Sequence, residues 1–181
     1  MNLYGRMLLV LLRLLYVPKL AHALLRSRLR FRVWGHDCDF NLHLTNSRYF
    51  SLMDLGRTEH MLRSGWLPAI LKYKLKFVVN ASEITFIREL PPFAAFTLST
   101  QLLAFDEKYA YFEQRFTRKG KLHAIAHARV AIIQGSELIS AGQMAALAGQ
   151  TLQSPLLPEA IALWKQLLDH KKWQGNRHKA T

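Results

Sequence analysis

Cysteine, glycine and proline are scarce in this chain, and each scarcity excludes a class of protein. One cysteine, Cys38, among 181 residues excludes an internal disulfide framework and any cysteine-rich zinc site. Nine glycines and six prolines exclude collagen-like and low-complexity sequences. Because no uncharged apolar run reaches about 18 residues, we expect no ordinary transmembrane span. The remaining composition, 50% apolar and 20% charged, is typical of one globular domain with an appendage.

Acidic residues are also few, since 12 Asp and Glu stand against 25 Lys and Arg, a formal net charge of +13. The excess lies at the ends. Residues 1–32 carry seven basic groups and no acidic one, and residues 165–181 carry five basic groups and one acidic group. The stretch 33–164 between them is nearly balanced, with 13 basic and 11 acidic groups. A nucleic-acid-binding domain more often carries its positive charge on the folded domain, so we expect no nucleic-acid partner. Basic ends beside apolar residues suit an anionic membrane surface better.

The first 28 residues combine leucines with arginines. Arg6 and Arg13 are seven positions apart and share one stripe of a predicted helix, which Pro18 is expected to end. Three interpretations stay open: a helix in a membrane interface with its arginines among the head groups, a helix packed on its own domain or on a partner, or a signal peptide ahead of Ala21-His22-Ala23. The arginine inside the apolar stretch argues against the signal peptide. We expect a cytoplasmic protein that is peripherally associated with a membrane through this segment.

The hydropathy pattern predicts an α+β fold in which one strand and one long helix precede four consecutive antiparallel strands. The long helix is predicted from Asn46 to Arg63, and its Gly56 indicates a close approach to a sheet. The predicted strands are 29–36, 76–89 with a bulge near 80–82, 93–105, 109–117 and 122–134, with a hairpin turn at 118–121. The further helices are a short one that opens at Pro68 and two terminal ones at 137–149 and 158–170, before a mobile tail at 171–181. The open sheet edge predicts a dimer or a higher oligomer.

The segment from Asp37 to Tyr49 carries the chemistry. Two carboxylates, an amide and an imidazole precede a helix whose first N–H groups are unsatisfied and partly positive. Those N–H groups can polarise a carbonyl oxygen while Asp39 attacks it or activates water. Asp39, Asn41 and His43 lie at a spacing of two, so they would point the same way in an extended loop. A turn whose Asp and Asn cap backbone groups explains the same residues equally well.

The pattern Asp-x-Asp-x-Asn-x-His-x-x-Asn-x-x-Tyr resembles the signature of hotdog-fold thioesterases of the 4-hydroxybenzoyl-CoA thioesterase-like class, and it is similar to that of plant acyl-ACP thioesterases. The runs Leu52–Arg57 and Glu83–Pro91 also fit. The whole chain most resembles the thioesterase superfamily member six group and its bacterial relatives, which also begin with a hydrophobic segment. The resemblance implies a hotdog fold over residues 29–135, a long central helix wrapped by a curved antiparallel sheet. An N-terminal helix in residues 1–28 and C-terminal helices in 136–181 are appended.

The resemblance also implies a role for each residue of the motif. Asp39 matches the nucleophile or general base, and Asn41 and His43 match residues that orient water or the acyl carbonyl. The expected oxyanion and substrate contacts are Thr45, Asn46, Ser47 and Tyr49. Two positions depart from the usual motif, because Leu42 replaces the glycine before the histidine and Thr45 replaces the first asparagine of a pair.

The other polar and aromatic side chains have plainer interpretations. Cys38 is expected to be a packed thiol, and His123 and His127 are expected at a surface or a dimer interface, so no metal site is predicted. No redox cofactor is needed, because a thioester is already activated. The basic residues that form either a solvated turn or contacts to coenzyme A phosphates are Arg115, Arg118, Lys119 and Lys121. Trp164 and Trp173 are expected to seat the C-terminal segment on a membrane or on the core.

The favoured function is the hydrolysis of an acyl-CoA or acyl carrier protein thioester by a homodimer or homotetramer. Leu42 and Thr45 motivate a second hypothesis, a hotdog protein that binds acyl-CoA or another lipid at a membrane without turning it over. A third is a hotdog dehydratase that acts on a hydroxyacyl chain through a histidine and a carboxylate. The Asp-x-Asp loop directly before the helix favours the thioesterase.

Overall fold

The computed structural model describes residues 3–14 and 16–177, and an antiparallel sheet lies at its centre. The strands are β1 (Ser27–Arg32), β2 (Lys76–Phe86), β3 (Ala95–Phe105), β4 (Tyr109–Arg118), β5 (Lys121–Gln134) and β6 (Glu137–Ile139). The helices are α1 (Leu3–Arg13), α2 (Asn46–Arg63), α3 (Leu67–Tyr73), α4 (Ala141–Leu147) and α5 (Glu159–Arg177). The sheet order is β1-β3-β4-β5-β2, and β6 pairs with β5. The predicted α+β hotdog architecture is confirmed.

The central helix α2 has the bounds that the sequence predicts, and it lies across the inner face of the sheet. Its buried side includes Tyr49, Met53, Gly56 and His60. A Cβ atom on Gly56 would lie 2.7 Å from the Thr100 hydroxyl and 2.8 Å from the Gln114 amide nitrogen. Glycine at this position therefore lets the helix backbone approach β3 and β4 closely, as its place in the sequence predicts.

Several element boundaries differ from the prediction for identifiable reasons. Residues 137–139 form a strand, because Gly135 takes a left-handed conformation that turns the chain back onto β5. Helix α4 begins only after Ser140, whose hydroxyl accepts the N–H of Gln143 in a capping box. Helix α5 continues to Arg177, so most of the tail predicted to be mobile is helical.

Helix α5 covers one end of the outer face of the sheet. Ile161 and Trp164 pack on the buried ring of Tyr111. Lys165 binds Asp106 at 2.7 Å, and the Tyr111 hydroxyl donates to the same carboxylate at 3.0 Å. Trp164 thus seats the C-terminal helix on the core, which is one of the two places expected for it. The side chain of Trp173 lies outside the described part of the structure.

Helix α1 docks on the domain with the side that carries its arginines. Arg6 and Val10 are buried, and Arg6 binds the buried carboxylate of Asp37. The apolar residues that remain 45–57% exposed are Leu8, Leu9, Leu11 and Leu12. For Arg6 this favours the second of the three interpretations, a helix packed on its own domain, over a place among head groups, because Asp37 offers that charge a partner inside the protein. The predicted end at Pro18 is wrong, since α1 ends at Arg13. The guanidinium of Arg13 donates to the carbonyl oxygen of Arg28 at 3.3 Å.

Among the described helices, none is long and apolar enough to cross a bilayer.

A buried histidine on α2 predicts that acid weakens the fold. The His60 ring is fully buried, with Nε2 2.9 Å from the carbonyl oxygen of Ala23, and burial lowers its pKa to about 4. The unfolded chain binds this proton near pH 6.5, so the free energy of unfolding is expected to fall as the pH drops from about 6.5 to about 4, by on the order of 3 kcal/mol in all. Urea unfolding at several pH values between 5 and 7 measures the slope. His60→Gln keeps a donor for Ala23 and does not titrate, so an unchanged slope in that variant would contradict this assignment.

Candidate functional site

The loop before α2 is a tight hairpin. The carbonyl oxygen of Asp39 accepts the N–H of Leu42 at 3.0 Å, and the N–H of Asp39 donates to His43 at 3.2 Å. Cys38 and Leu44 close the hairpin as an antiparallel bridge. Of the two interpretations of this loop, the turn in which Asp39 caps a backbone group is the one that forms, and the extended loop with three side chains on one side is not. The turn itself brings Asp39 and His43 together and leaves Asn41 exposed at its tip.

Leu42 takes the left-handed conformation, with φ of 57°, at the position where the resembling motif has glycine. A side chain with a Cβ is strained there, and its removal costs little burial because Leu42 is 69% exposed. Leu42→Gly is therefore expected to raise the free energy of unfolding by about 1 kcal/mol. Denaturant unfolding measures this, with Leu42→Ala as the control that keeps the strain and stays near the native value. A loss of stability in the glycine variant would show that the leucine side chain contributes more than its backbone costs.

Asp39 is the reachable carboxylate of the loop. Its Oδ1 accepts the N–H of Asn41 at 3.0 Å and lies 3.5 Å from Nδ1 of His43. The Asp39 side chain is 35% exposed, and that of His43 is 23% exposed. A carboxylate that is held by one backbone donor, next to an imidazole and open to water, is chemically able to act as a general base or as a nucleophile.

Asp37, in contrast, anchors the loop. It is fully buried, and its Oδ2 accepts the N–H of Trp34 at 2.9 Å as well as the guanidinium of Arg6. Its main-chain carbonyl accepts the N–H of Thr45 at 2.9 Å, and Nε of Arg48 lies 3.5 Å from Oδ1. The two carboxylates of the motif therefore have different environments, one structural and one accessible.

The start of α2 leaves backbone donors uncapped. Thr45 occupies the N-cap position, but its side chain makes no capping hydrogen bond, and its own N–H is taken by Asp37. Of the three N–H groups expected to bind an oxyanion, those of Asn46 and Ser47 therefore fit the role better. Both residues are exposed, and the helix dipole adds partial positive charge at this end.

A cavity of about 370 Å³ lies between the start of α2 and the end of β2. Its lining residues are His43, Leu44, Asn46, Tyr49, Phe86, Ile87, Arg88 and Glu89. The N–H of Leu44 donates to Leu90 at 2.9 Å and ties the hairpin to this wall. The Tyr49 ring packs edge-on against Phe86, with ring centroids 4.9 Å apart. Burial and the charge of Glu89 raise the pKa of Tyr49 to about 12, so the phenol is neutral at physiological pH.

The wall of the cavity that follows β2, residues 86–89, was not assigned a role from the sequence. Residues 86–89 belong to a run that fitted the resembling family, and the adjacent Arg88 and Glu89 in that run are the signal that was available. Nη1 of Arg88 donates to the carbonyl oxygen of Leu122 at 2.7 Å, which fixes the side chain beside β5. Arg88 is thus the cation that borders the cavity.

The basic residues proposed for coenzyme A phosphates lie elsewhere. Arg115 forms a forked ion pair with Glu113, at 2.7 and 2.9 Å, on the outer face of the sheet. Lys119 and Lys121 belong to the turn between β4 and β5 and are exposed, and Arg118 is half-buried beside them. None of these four described residues lines the cavity.

The remaining candidates have structural partners. Burial, Asp37 and Asp39 raise the pKa of the Cys38 thiol, whose Sγ donates to Trp34 at 3.6 Å. Nδ1 of His123 lies 2.8 Å from the Glu89 carbonyl oxygen, and Nδ1 of His127 lies 2.7 Å from the Glu83 carboxylate. Within residues 3–14 and 16–177, no three side chains of metal-binding type come together.

Comparison with known proteins points to one family. The model of the thioesterase-like superfamily matches residues 33–164. Protein THEM6 of Danio rerio is 35% identical over 129 residues, which are 70% of this chain and 64% of that protein, so the chain spans about two thirds of this relative. Among solved structures, the probable thioesterase YbaW of Escherichia coli superposes with a TM-score of 0.63 at 20% identity, over 70% of this chain and 98% of that one. A mutant 4-hydroxybenzoyl CoA thioesterase complexed with 4-hydroxybenzoyl CoA superposes with a TM-score of 0.60 at 12% identity, over 68% and 98%.

Proposed function

Because this chain belongs to the thioesterase-like superfamily, we propose that it hydrolyses an acyl-CoA thioester to a free acid and the thiol of coenzyme A, with Asp39 as base or nucleophile. One observation carries the assignment of the residues. The hairpin holds the water-accessible Asp39 carboxylate 3.5 Å from His43, and His43 lines the cavity at the uncapped start of α2.

The reaction needs a base, an oxyanion site and an exit for the thiol. As base, Asp39 takes a proton from water while the water oxygen attacks the thioester carbonyl carbon. The N–H groups of Asn46 and Ser47 hold the oxyanion, the C–S bond then breaks, and the leaving sulfur takes up the proton as the CoA thiol. As nucleophile, Asp39 itself attacks the carbonyl carbon and the C–S bond breaks to release the thiolate. Water then hydrolyses the mixed anhydride, which restores the Asp39 carboxylate and releases the proton that the thiolate takes up. His43 and Asn41 orient the water or the acyl carbonyl in either route.

The cavity suits a substrate whose acyl group lies against its apolar wall and whose negatively charged carrier lies near Arg88. Tyr49, Phe86 and Ile87 offer apolar wall, and Arg88 borders the same space. A thioesterase of similar fold is complexed with an aromatic acyl-CoA. These features favour coenzyme A over acyl carrier protein as the thiol, and comparison of kcat/KM for one acyl group on both carriers tests that choice.

Assay of the full chain against short, long and aromatic acyl-CoAs tests the function. A thioesterase releases free thiol in proportion to enzyme concentration, and a thiol reagent follows it. A protein that only binds acyl-CoA shows saturable binding without thiol release. A dehydratase converts a hydroxyacyl-CoA into an enoyl-CoA while the thioester persists. Either of the last two results, with no thiol released from any substrate, would overturn the proposal.

A homodimer, or a homotetramer built from it, is expected because β2 is a long outer strand. Beyond its pairing with β5, no described strand covers it, and Val78 and Val79 are 44% and 40% exposed. Such an edge is stabilised by a second copy. Sedimentation at micromolar concentration is expected to show at least twice the 20.9 kDa chain mass. Val78→Lys is expected to weaken the assembly, and a native protein that sediments only as a monomer would count against it.

Peripheral attachment to an anionic membrane is part of the proposal. In this proposal residues 1–28 form an appendage to the domain at 29–135, and the C-terminal helices in 136–181 follow it. Support comes from the four exposed leucines of α1, which form an apolar face with no cover among the described residues. A helix of this kind binds a membrane by burying its apolar face at the boundary between head groups and acyl chains.

A further inference from the structure

A groove of about 700 Å³ opens on the outer face of the sheet, at the end that α5 leaves uncovered. Five arginines and three hydroxyl side chains supply most of its lining: Arg13, Arg26, Arg28, Arg30, Arg115, Thr97, Ser99 and Thr117. The catalytic proposal uses none of these residues, although the sequence offered one of them, Arg115, for coenzyme A phosphates. The groove is separate from the cavity at the start of α2.

Strand register builds the groove. Arg28 of β1 is paired with Ser99 of β3, which is paired with Arg115 of β4. Directly paired residues of neighbouring strands have side chains about 5 Å apart on the same face. The next outward row, two positions along, sets Arg30 beside Thr97 in the same way. Guanidinium and hydroxyl donors therefore alternate across three strands.

The positive charge of the groove is only partly compensated. Arg26 and Arg115 share the buried carboxylate of Glu113, at 2.9 and 2.7 Å. Arg28 and Arg30 are exposed and make no ion pair with any described residue. Glu113 is thus the one carboxylate among the described residues that pairs with any of the five arginines of the groove. Such a concentration of guanidinium donors is complementary to an anion with several acceptor oxygens, and arginine suits a phosphate group best.

Arg13 connects the groove to α1. Its Nη2 donates to the carbonyl oxygen of Arg28 at 3.3 Å, and its Nε is buried without a partner among the described residues. A second recess of about 220 Å³ continues between α1 and β1, with Leu9, Phe31 and Trp34 among its lining residues. The cationic groove and the exposed apolar side of α1 therefore adjoin.

We propose that this groove binds the phosphate head group of an anionic phospholipid while the exposed leucines of α1 enter the acyl layer. The inference rests on the proposed membrane attachment, and it identifies the lipid group that is recognised and the residues that recognise it. A soluble phosphate compound would bind the arginines of the groove, but the leucines of α1 would stay exposed to water. A phospholipid satisfies both surfaces at once.

Vesicle co-sedimentation of the full chain tests the proposal. Vesicles of equal parts phosphatidylcholine and phosphatidylglycerol are expected to bind the native protein, and vesicles of phosphatidylcholine alone to bind it weakly. Arg28→Gln with Arg30→Gln is expected to weaken binding about 30-fold, which is about 1 kcal/mol for each basic residue near the surface. The matched control, Lys72→Gln with Lys76→Gln, removes the same charge from exposed positions away from the groove and is expected to bind within about twofold of native.

Two further arms separate head-group binding from its alternatives. Leu8→Gln with Leu9→Gln is expected to weaken vesicle binding and to leave the affinity for soluble coenzyme A unchanged. Equal losses in the arginine and lysine variants would show that only net charge matters, and this overturns the proposal. An arginine variant that loses affinity for soluble coenzyme A but sediments normally with vesicles also overturns it, since the groove then serves the substrate.

The proposal and the enzymatic function fail separately. Hydrolysis of a water-soluble short-chain acyl-CoA, measured without vesicles, is expected to be the same in the native protein and in the Arg28 and Arg30 variant. A protein that hydrolyses acyl-CoA but ignores anionic vesicles at low salt retains its proposed function and loses the groove assignment. A protein that binds vesicles through the groove but releases no thiol retains the groove assignment and loses its proposed enzymatic function.

Discussion

Asp39→Asn is expected to reduce acyl-CoA hydrolysis by a factor of about 10² or more without unfolding the protein, because it removes the positioned carboxylate and little else. The asparagine side chain keeps a carbonyl oxygen where Oδ1 of Asp39 now accepts the N–H of Asn41. The hairpin therefore survives the change, and the lost rate reports the charge. Steady-state kcat and KM with the best acyl-CoA measure it, and circular dichroism checks the fold.

Asp39→Ala, which also removes the turn hydrogen bond, is expected to lose at least as much activity. Asn41→Ala and His43→Ala are expected to cost less, because their assigned roles are to orient water or the acyl carbonyl. Wild-type turnover in Asp39→Asn would exclude this carboxylate from the chemistry. A larger loss at His43 than at Asp39 would transfer the role of base to the imidazole.

The sequence predicts those parts of the fold that depend on local pattern. The bounds of α2 follow from its turn-rich entry and from Gly65 beyond its end, and its buried face follows from helical periodicity. The break in pairing between Val79 and Ala81 lies at the predicted bulge in β2. Each of these signals is read within a few residues of the feature that it specifies.

The site depends on contacts that no local pattern contains. The turn before α2 was only one of two interpretations of the sequence, because its left-handed position holds Leu42, and leucine gives no turn signal. The residues from Phe86 to Glu89 lie beside the start of α2 because β2, which leads into them, is the edge strand that pairs with β5. That pairing joins segments far apart in the sequence. Arg6 meets a carboxylate 31 positions away, and helical periodicity alone left open whether that arginine faces head groups or packs on the domain.

The second large effect concerns that arginine. Arg6→Met is expected to lower the free energy of unfolding by about 3–5 kcal/mol, because it strands a fully buried carboxylate without its main ionic partner. For a chain of this length the melting temperature is expected to fall by about 10 °C. Methionine keeps most of the apolar stem of the side chain, so the loss reports the charge rather than a cavity. Thermal and urea unfolding followed by circular dichroism measure both quantities.

Two variants isolate the ion pair. Arg13→Met makes the same change at the last residue of the same helix, where the arginine donates only to a main-chain oxygen, and is expected to cost less than about 1 kcal/mol. Arg6→Met combined with Asp37→Asn is expected to be more stable than Arg6→Met alone, because a neutral amide costs less to bury than an unpaired carboxylate. If Arg6→Met has the same free energy of unfolding as the native protein, Arg48 is sufficient to stabilise Asp37. Nε of Arg48 lies 3.5 Å from the same carboxylate. In that case α1 is attached to the domain through Val10 and its apolar contacts rather than through charge.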